Sequence, residues 1–208
     1  MIMINYEFFN KNNMLKFFEY HFKETFTIIV FALVLVWMKH TKTNGTTPKP
    51  IPFMSIVASM LILMYYSYFI HRLIHKIPPK YNFHTMFHHN KNVTEFWINL
   101  LIEFIINALF FVGFYCLKLA FNLSFIPTIL IVFYGIIYTS VHIINYSIFH
   151  LGKNHREHHL SVEQKCNFGP DTIDHLLNTN CNSNYENLTH MLPNILGAFL
   201  ICYWVQRY

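Results

Sequence analysis

The chain has 208 residues, 54% of them hydrophobic and 18% aromatic, with charged residues at only 12% and a formal net charge of +5. This excludes an ordinary soluble domain and points to one multi-spanning membrane domain. The lysines and arginines are scattered near the ends of apolar runs rather than gathered in a basic stripe, which excludes a nucleic-acid binder and suits a membrane surface. The four cysteines, Cys116, Cys166, Cys181 and Cys202, form no C-x-x-C pair and predict no disulfide framework. No cleavable signal peptide is expected.

In chain order, residues 1–24 mix aromatics with charge and predict an amphipathic interfacial helix. Residues 25–38 are uncharged but short for a span, so a tilted or partly inserted helix is expected there. A polar loop follows, from Lys39 to Pro50. Phe53 to Ile70 is an uncharged run of spanning length, and its helix is expected to continue through His71 and His75 and stop at Pro78-Pro79. His84, His88 and His89 lie in a linker read as helical. Trp97 to Phe121 is the next span, with Glu103 and Asn107 four apart on one face. Glu103 has two open readings: an interior group beside the site or a channel, or a carboxylate that snorkels to the interface. Lys118 is expected to snorkel.

Asn122-Leu123-Ser124 makes a tight connection, and Phe125 to Ile144 returns across the membrane with His142 near its end. His155, His158 and His159 follow. The run from Met191 to Val205, like residues 25–38, is short and reads as either a partial span or a cap. The expected architecture is an all-α integral membrane bundle of about four spanning helices under a histidine-rich cap. Residues 1–50 form an N-terminal segment and residues 51–208 carry the membrane domain. The hairpin of spans brings every histidine cluster to one side. Arg72, Lys76, Lys80, Lys91, Lys153, Arg156 and Lys165 are on that side, against Lys118 opposite, so the cap is expected to face the cytoplasm. Lys39, Lys42 and Lys49 run against this if residues 25–38 cross. The N-x-[ST] sequons at Asn44 and Asn122 do not decide the matter.

Nine histidines fall in clusters at the ends of these runs: His71 and His75; His84, His88 and His89; His142; and His155, His158 and His159. Residues three and four apart share a helix face, so His155, His158 and His159 are expected to point at one place, with His71 and His75 adding two imidazoles from another helix. Neutral imidazole suits zinc, copper, iron and nickel. Nine ligands exceed the four of a tetrahedral zinc site and suit two ions with open positions. Glu157, Asp171 and Asp174 are candidates to orient the histidines by accepting their second N–H. His150 competes with His142. His175 is either an extra ligand or a surface residue. His21, His40 and His190 are read as non-ligands. Loss of metal is expected as pH falls toward about 6.5.

These motifs, with Asn167-Phe168-Gly169 and Asp174-His175-Leu176-Leu177-Asn178-Thr179, resemble the fatty acid hydroxylase superfamily, which includes sterol desaturases and sterol methyl oxidases. The likeness runs from about Phe53 to Thr179. It departs from the family where three residues separate His84 from His88, and where Leu177-Asn178 replaces Phe-Gly. The resemblance implies a membrane oxygenase with a histidine-ligated pair of iron ions, or another transition metal, and O2 as co-substrate. It also implies a hydroxylase or desaturase acting on a sterol, fatty acyl or related lipid in lipid biosynthesis. Its setting would be an endoplasmic-reticulum-type membrane. Reducing equivalents would come from a separate donor such as cytochrome b5 or its reductase. Two other classes compete: a metal transporter, and a non-catalytic scaffold that keeps a structural metal. Tyr65, Tyr66 and Tyr68 either line a substrate cavity or anchor the interface.

Overall fold

The computed structural model describes residues 4–42, 52–89, 95–160 and 166–208. Asn44, Lys49, Lys91 and Lys165 lie outside the described residues. Those described form a helical bundle without strands: α1 (Lys11–Lys42), α2 (Phe53–Ile74), a π-helical turn (His84–His89), α3 (Phe96–Ala120), α4 (Thr128–Ser140), α5 (Lys153–Leu160), α6 (Asp171–Leu176) and α7 (Leu192–Arg207). The winding of α4 continues as a second π-helical stretch, Val141–Ile148. Helices satisfy their own backbone groups, which is what lipid demands.

Among the described residues, five helical segments rather than four are long and apolar enough to cross a membrane. The two short runs of the sequence are the source of the difference. The run at 25–38 is extended by His21 and Glu24, which turn inward and are 0% and 3% exposed. A count that stops at the first charge ends there, although the helix carries on for 32 residues. The run at 191–205 is likewise part of an apolar helical segment, Leu188–Arg207.

α4 is central, and α1, α2, α3 and α7 all pack against it. Leu35, Leu63, Ile126, Leu130, Phe133 and Ile137 are fully buried there. The outward faces stay apolar, with Leu101, Phe104, Leu109 and Val112 of α3 each about half exposed, as lipid contact requires. Pro127 precedes α4 and Pro193 sits in the first turn of α7, where their missing N–H groups cost nothing. α1 joins the last span through Phe31 stacked on Phe199, ring centres 4.3 Å apart. Lys39, at the far end of α1, interacts electrostatically with Lys118, so these two lysines share the end of the bundle opposite the histidines. Lys118 donates to Thr128 Oγ1 at 2.6 Å.

A disulfide joins Cys166 and Cys181, where the sequence predicted none. The two cysteines lie 15 positions apart, and the backbone pairing of Asn167 N with Thr179 O (2.8 Å) brings them together. Spacing alone does not reveal such a contact between loops.

Candidate metal centre

The histidines gather at one end of the bundle, on four elements: the end of α2, the first π-helical turn, the second π-helical stretch and α5. His71 and His75, one turn apart, share a face as the sequence predicts. The middle group does not follow α-helical geometry. In a wider π turn, His84 and His89 fall on one side and His88 on another. This explains the unusual H-x-x-x-H-H spacing and gives His84 a place.

Two nests result. In the first, His71, His75, His84, His89 and His158 bring one ring nitrogen each within 4.8 Å of all the others. In the second, His88, His142 and His155 do the same. In the first nest, neighbouring Nε2 atoms are 3.1 Å apart for His71 and His84, 3.2 Å for His71 and His75, 3.3 Å for His84 and His89, and 3.1 Å for His75 and His158. His155, His158 and His159 therefore do not meet at one point. His158 enters the first nest and His155 the second. His159 lies between them, its Nε2 2.9 Å from His155 Nε2 and its ring stacked on His89 with centres 4.3 Å apart. His142, not His150, completes the second nest; His150 lies outside both, with a positive φ of 53°.

The tautomers test whether a metal fits. His71 Nδ1 donates to Phe168 O at 2.6 Å, and His158 Nδ1 donates to Cys166 O at 2.6 Å. His142 Nδ1 donates to Tyr138 O at 2.9 Å. A carbonyl only accepts, so each of these rings carries its proton on Nδ1 and, when neutral, presents a bare lone pair at Nε2. Lone pairs turned toward one another repel. A cation removes the conflict, and the observed spacings match ligands about 2.0–2.1 Å from a shared ion at angles near 90–110°. Both ring nitrogens of His88 and the Nδ1 of His89 are also buried without a hydrogen-bond partner. The residues fit a pair of imidazole-bound metal ions.

Electrostatics agree. Burial pushes His75 down to about 4 from its ordinary 6.5. Burial, then the neighbouring His75 imidazole, pushes His158 down to about 3. Burial with crowding by other imidazoles also holds His84, His88, His89 and His155 well below the ordinary value. All six are neutral at pH 7 in the metal-free protein and ready to ligate.

Glu103 resolves to the interior reading. It is 1% exposed, accepts from Asn99 Nδ2 at 2.9 Å and Ser147 Oγ at 2.5 Å, and lies 3.4 Å from His88 Nδ1. The sequence flagged its face but not its histidine partner. Tyr146 stacks on His155 at 4.0 Å with planes 15° apart. Gly152, at φ +90°, leaves room for that ring; a Cβ there would meet Tyr146 Cε1 at 2.5 Å.

The acidic candidates behave differently from one another. Asp174 accepts from Phe168 N at 3.0 Å, Gly169 N at 2.6 Å and Thr179 Oγ1 at 2.7 Å. It thereby fixes the turn whose carbonyl, Phe168 O, receives His71, and burial raises it to about 7. Asp171 holds Asn154 Nδ2 at 2.5 Å and pairs with His21 at 3.1 Å. Its recorded histidine contacts, His21 and His175, both lie outside the nests. Glu157 accepts from Asn182 and sits 4.0 Å from Lys153, so its recorded contacts also lie away from the nests. His175 is neither in a nest nor at the surface: it is 4% exposed, stacked on Tyr185 at 3.9 Å and 3.7 Å from Asp171. Tyr68 is buried and bonds Thr179 Oγ1 at 2.9 Å, and Tyr66 donates to Phe110 O at 2.8 Å; both are packing groups.

No curated protein and no solved structure matches the chain. The Fatty acid hydroxylase family model matches residues 56–179, more than half of the chain, and all nine clustered histidines fall within that range. With the nests placed as they are, the chain belongs to the fatty acid hydroxylase family.

Proposed function

We propose that the protein is a membrane-bound di-iron oxygenase that uses O2 to hydroxylate or desaturate a lipid C–H bond. The coarser part of this reading follows from the family: an oxidoreductase of the lipid hydroxylase or desaturase type, in a membrane, generally iron-dependent. The observation that carries the finer part is the pair of adjoining nests, in which protons held on Nδ1 leave Nε2 lone pairs facing one another.

The first nest would hold one ion through His71, His75, His84, His89 and His158. The second would hold another through His88, His142 and His155, with His159 at the boundary. Iron held by these residues would supply the dioxygen chemistry needed to hydroxylate or desaturate an unactivated C–H bond. The chain's own groups prepare that chemistry. Phe168 O, Cys166 O and Tyr138 O fix three ring tautomers. Glu103 faces His88 Nδ1 and opposes its rotation. Asp174 holds the turn that presents Phe168 O. Burial keeps bulk water from the nests and keeps the rings neutral.

The described basic residues Arg72, Lys76, Lys80, Lys153 and Arg156 lie at the histidine end and Lys39 and Lys118 at the other, which favours a cytoplasmic histidine face. In that compartment Cys166 and Cys181 would be held as thiols. A separate cytoplasmic-face donor such as cytochrome b5 or its reductase would supply electrons.

The test is elemental analysis of detergent-purified, iron-reconstituted protein beside H158A/H159A. Two irons per chain, lost in the variant, together with iron-dependent oxygen uptake once a reductase and lipid extract are added, is the expected result. Folded protein that takes up no metal would overturn the reading.

A further inference from the structure

A cavity of about 120 Å³ lies against the second nest, between α1, α4 and the segment around Glu186. His142 and His155 form one wall, Tyr138 and Ile137 line its side, and His21 and Glu24 face in from α1. Most of its polar groups have partners. Asp171 holds Asn154 and His21, and Glu186 Oε2 accepts from Asn154 N at 3.2 Å. Glu24 accepts no hydrogen bond: it is 3% exposed, both carboxylate oxygens are buried without a hydrogen-bond partner, and its neighbour in charge is the half-buried His190. A carboxylate inside a membrane helix is costly and is kept for a partner. Glu24 and His21 lie outside the matched range of 56–179.

We propose that this cavity binds the polar end of a lipid that donates hydrogen bonds, a hydroxyl or an amine, and that Glu24 is the residue that receives it. The inference rests on the oxygenase reading. Its chemistry is selective by sign. Glu24 and Asp171 line the cavity beside Asp174 and Glu186, which burial raises to about 7, so a carboxylate or phosphate head meets a wall of acidic groups, whereas a hydroxyl or ammonium meets a carboxylate with no hydrogen-bond donor of its own. Its size is selective too. A cavity of about 150 Å³ holds one benzene, so about 120 Å³ takes a head group and a few carbons, not a whole lipid. The tail must leave along the apolar wall formed by Ile28, Met64 and Ile137. A head group seated at Glu24 therefore places the carbons next to it, rather than the distal chain, against the second nest. A free fatty acid is a poor ligand for this cavity.

The experiment uses the full chain in detergent, loaded with iron, and three photoreactive sixteen-carbon probes that differ only in the polar end: alcohol, amine and carboxylic acid. Crosslinked peptides are read by mass spectrometry. The expected result is that alcohol and amine label segments 134–146 and 186–191 about tenfold more than the acid. E24Q should lower amine labelling about tenfold, and E24L should remove both signals. Equal labelling by all three probes, or labelling unchanged in folded E24Q, would overturn the proposal and leave a cavity that holds only water. The comparison of probes on the unsubstituted protein stands even if a variant fails to fold. Iron content is measured on the same samples. Absence of iron defeats the oxygenase reading, whereas iron bound with labelling indifferent to Glu24 defeats only this inference.

Discussion

Replacing Glu103 should weaken metal binding from a helix that carries no ligand. Its carboxylate receives Asn99 Nδ2 and Ser147 Oγ and lies 3.4 Å from His88 Nδ1, with His88 itself 3% exposed. In E103A the Asn99 amide loses its acceptor in a buried place, which costs about 1–3 kcal/mol, and His88 Nδ1 loses the carboxylate that faces it. Ser147 is less enclosed and can turn to another acceptor. Loss of a group that orients a ligating histidine typically lowers metal affinity about 10–100-fold, or about 1.4–2.7 kcal/mol. E103A is therefore expected near the hundredfold end for the second nest. E103Q keeps the volume and one acceptor but loses the charge, and is expected near tenfold. The assay is titration of the loaded protein with a chelator of known affinity, with bound metal read by elemental analysis and folding by thermal unfolding. The first nest should release its metal as in the unsubstituted protein. If both variants keep two ions with unchanged chelator midpoints, the carboxylate does not position His88 and the reasoning fails.

Single losses should be separable by nest: H71A is expected to lower metal content by one ion per chain and H155A by the other, whereas loss of both in either variant would refute two distinct nests. G152A forces a Cβ into Tyr146 at a backbone angle unfavourable by about 1–2 kcal/mol and should loosen the second nest, seen as faster metal release without loss of helical signal. For the metal-free protein, the depressed His75 and His158 stay neutral when folded but gain protons when unfolded, so the unfolded state binds more protons between about 4 and 6.5. Its stability should therefore be full above 6.5 and fall as pH drops toward 4; a thermal midpoint flat across that window would contradict the burial of these rings. Reduction of Cys166–Cys181, which closes a loop of 15 residues, should lower stability by up to about 3 kcal/mol while metal stays bound, as read by thermal unfolding with and without dithiothreitol.

The parts of the site that follow local periodicity were legible in the sequence. His71 and His75 share a face because they are one α-helical turn apart, and the α3–α4 hairpin puts the later histidines on the same side. Departures from that periodicity were not legible. His84 is brought in by a π-helical turn, which residue spacing does not announce. His158 and His159 diverge because adjacent residues on a helix point about 100° apart, so one cluster feeds two nests. Glu103 could be placed on a face but not against His88, since their contact depends on how α3 packs beside the first π-helical turn. Glu24 misled the count of spans because a charge turned inward looks the same in sequence as one turned to water. The disulfide was hidden for a similar reason: it depends on two loops meeting, and nothing local to either cysteine signals the other.

The cavity beside the second nest has a consequence in time. One wall is carried by α1 and the other by residues near Glu186, some 160 positions later. At about 5–20 residues per second, synthesis separates them by about 8–30 s. During that interval α1 can reach α2 and α4, but His21 lacks the Glu186 carbonyl and Phe31 waits for Phe199. The nitrogen donors of both nests, all within residues 71–159, are finished first. Assembly thus has an order: the wall carried by the first helix precedes the wall near Glu186, and the chamber beside the second nest closes only when the latter is made.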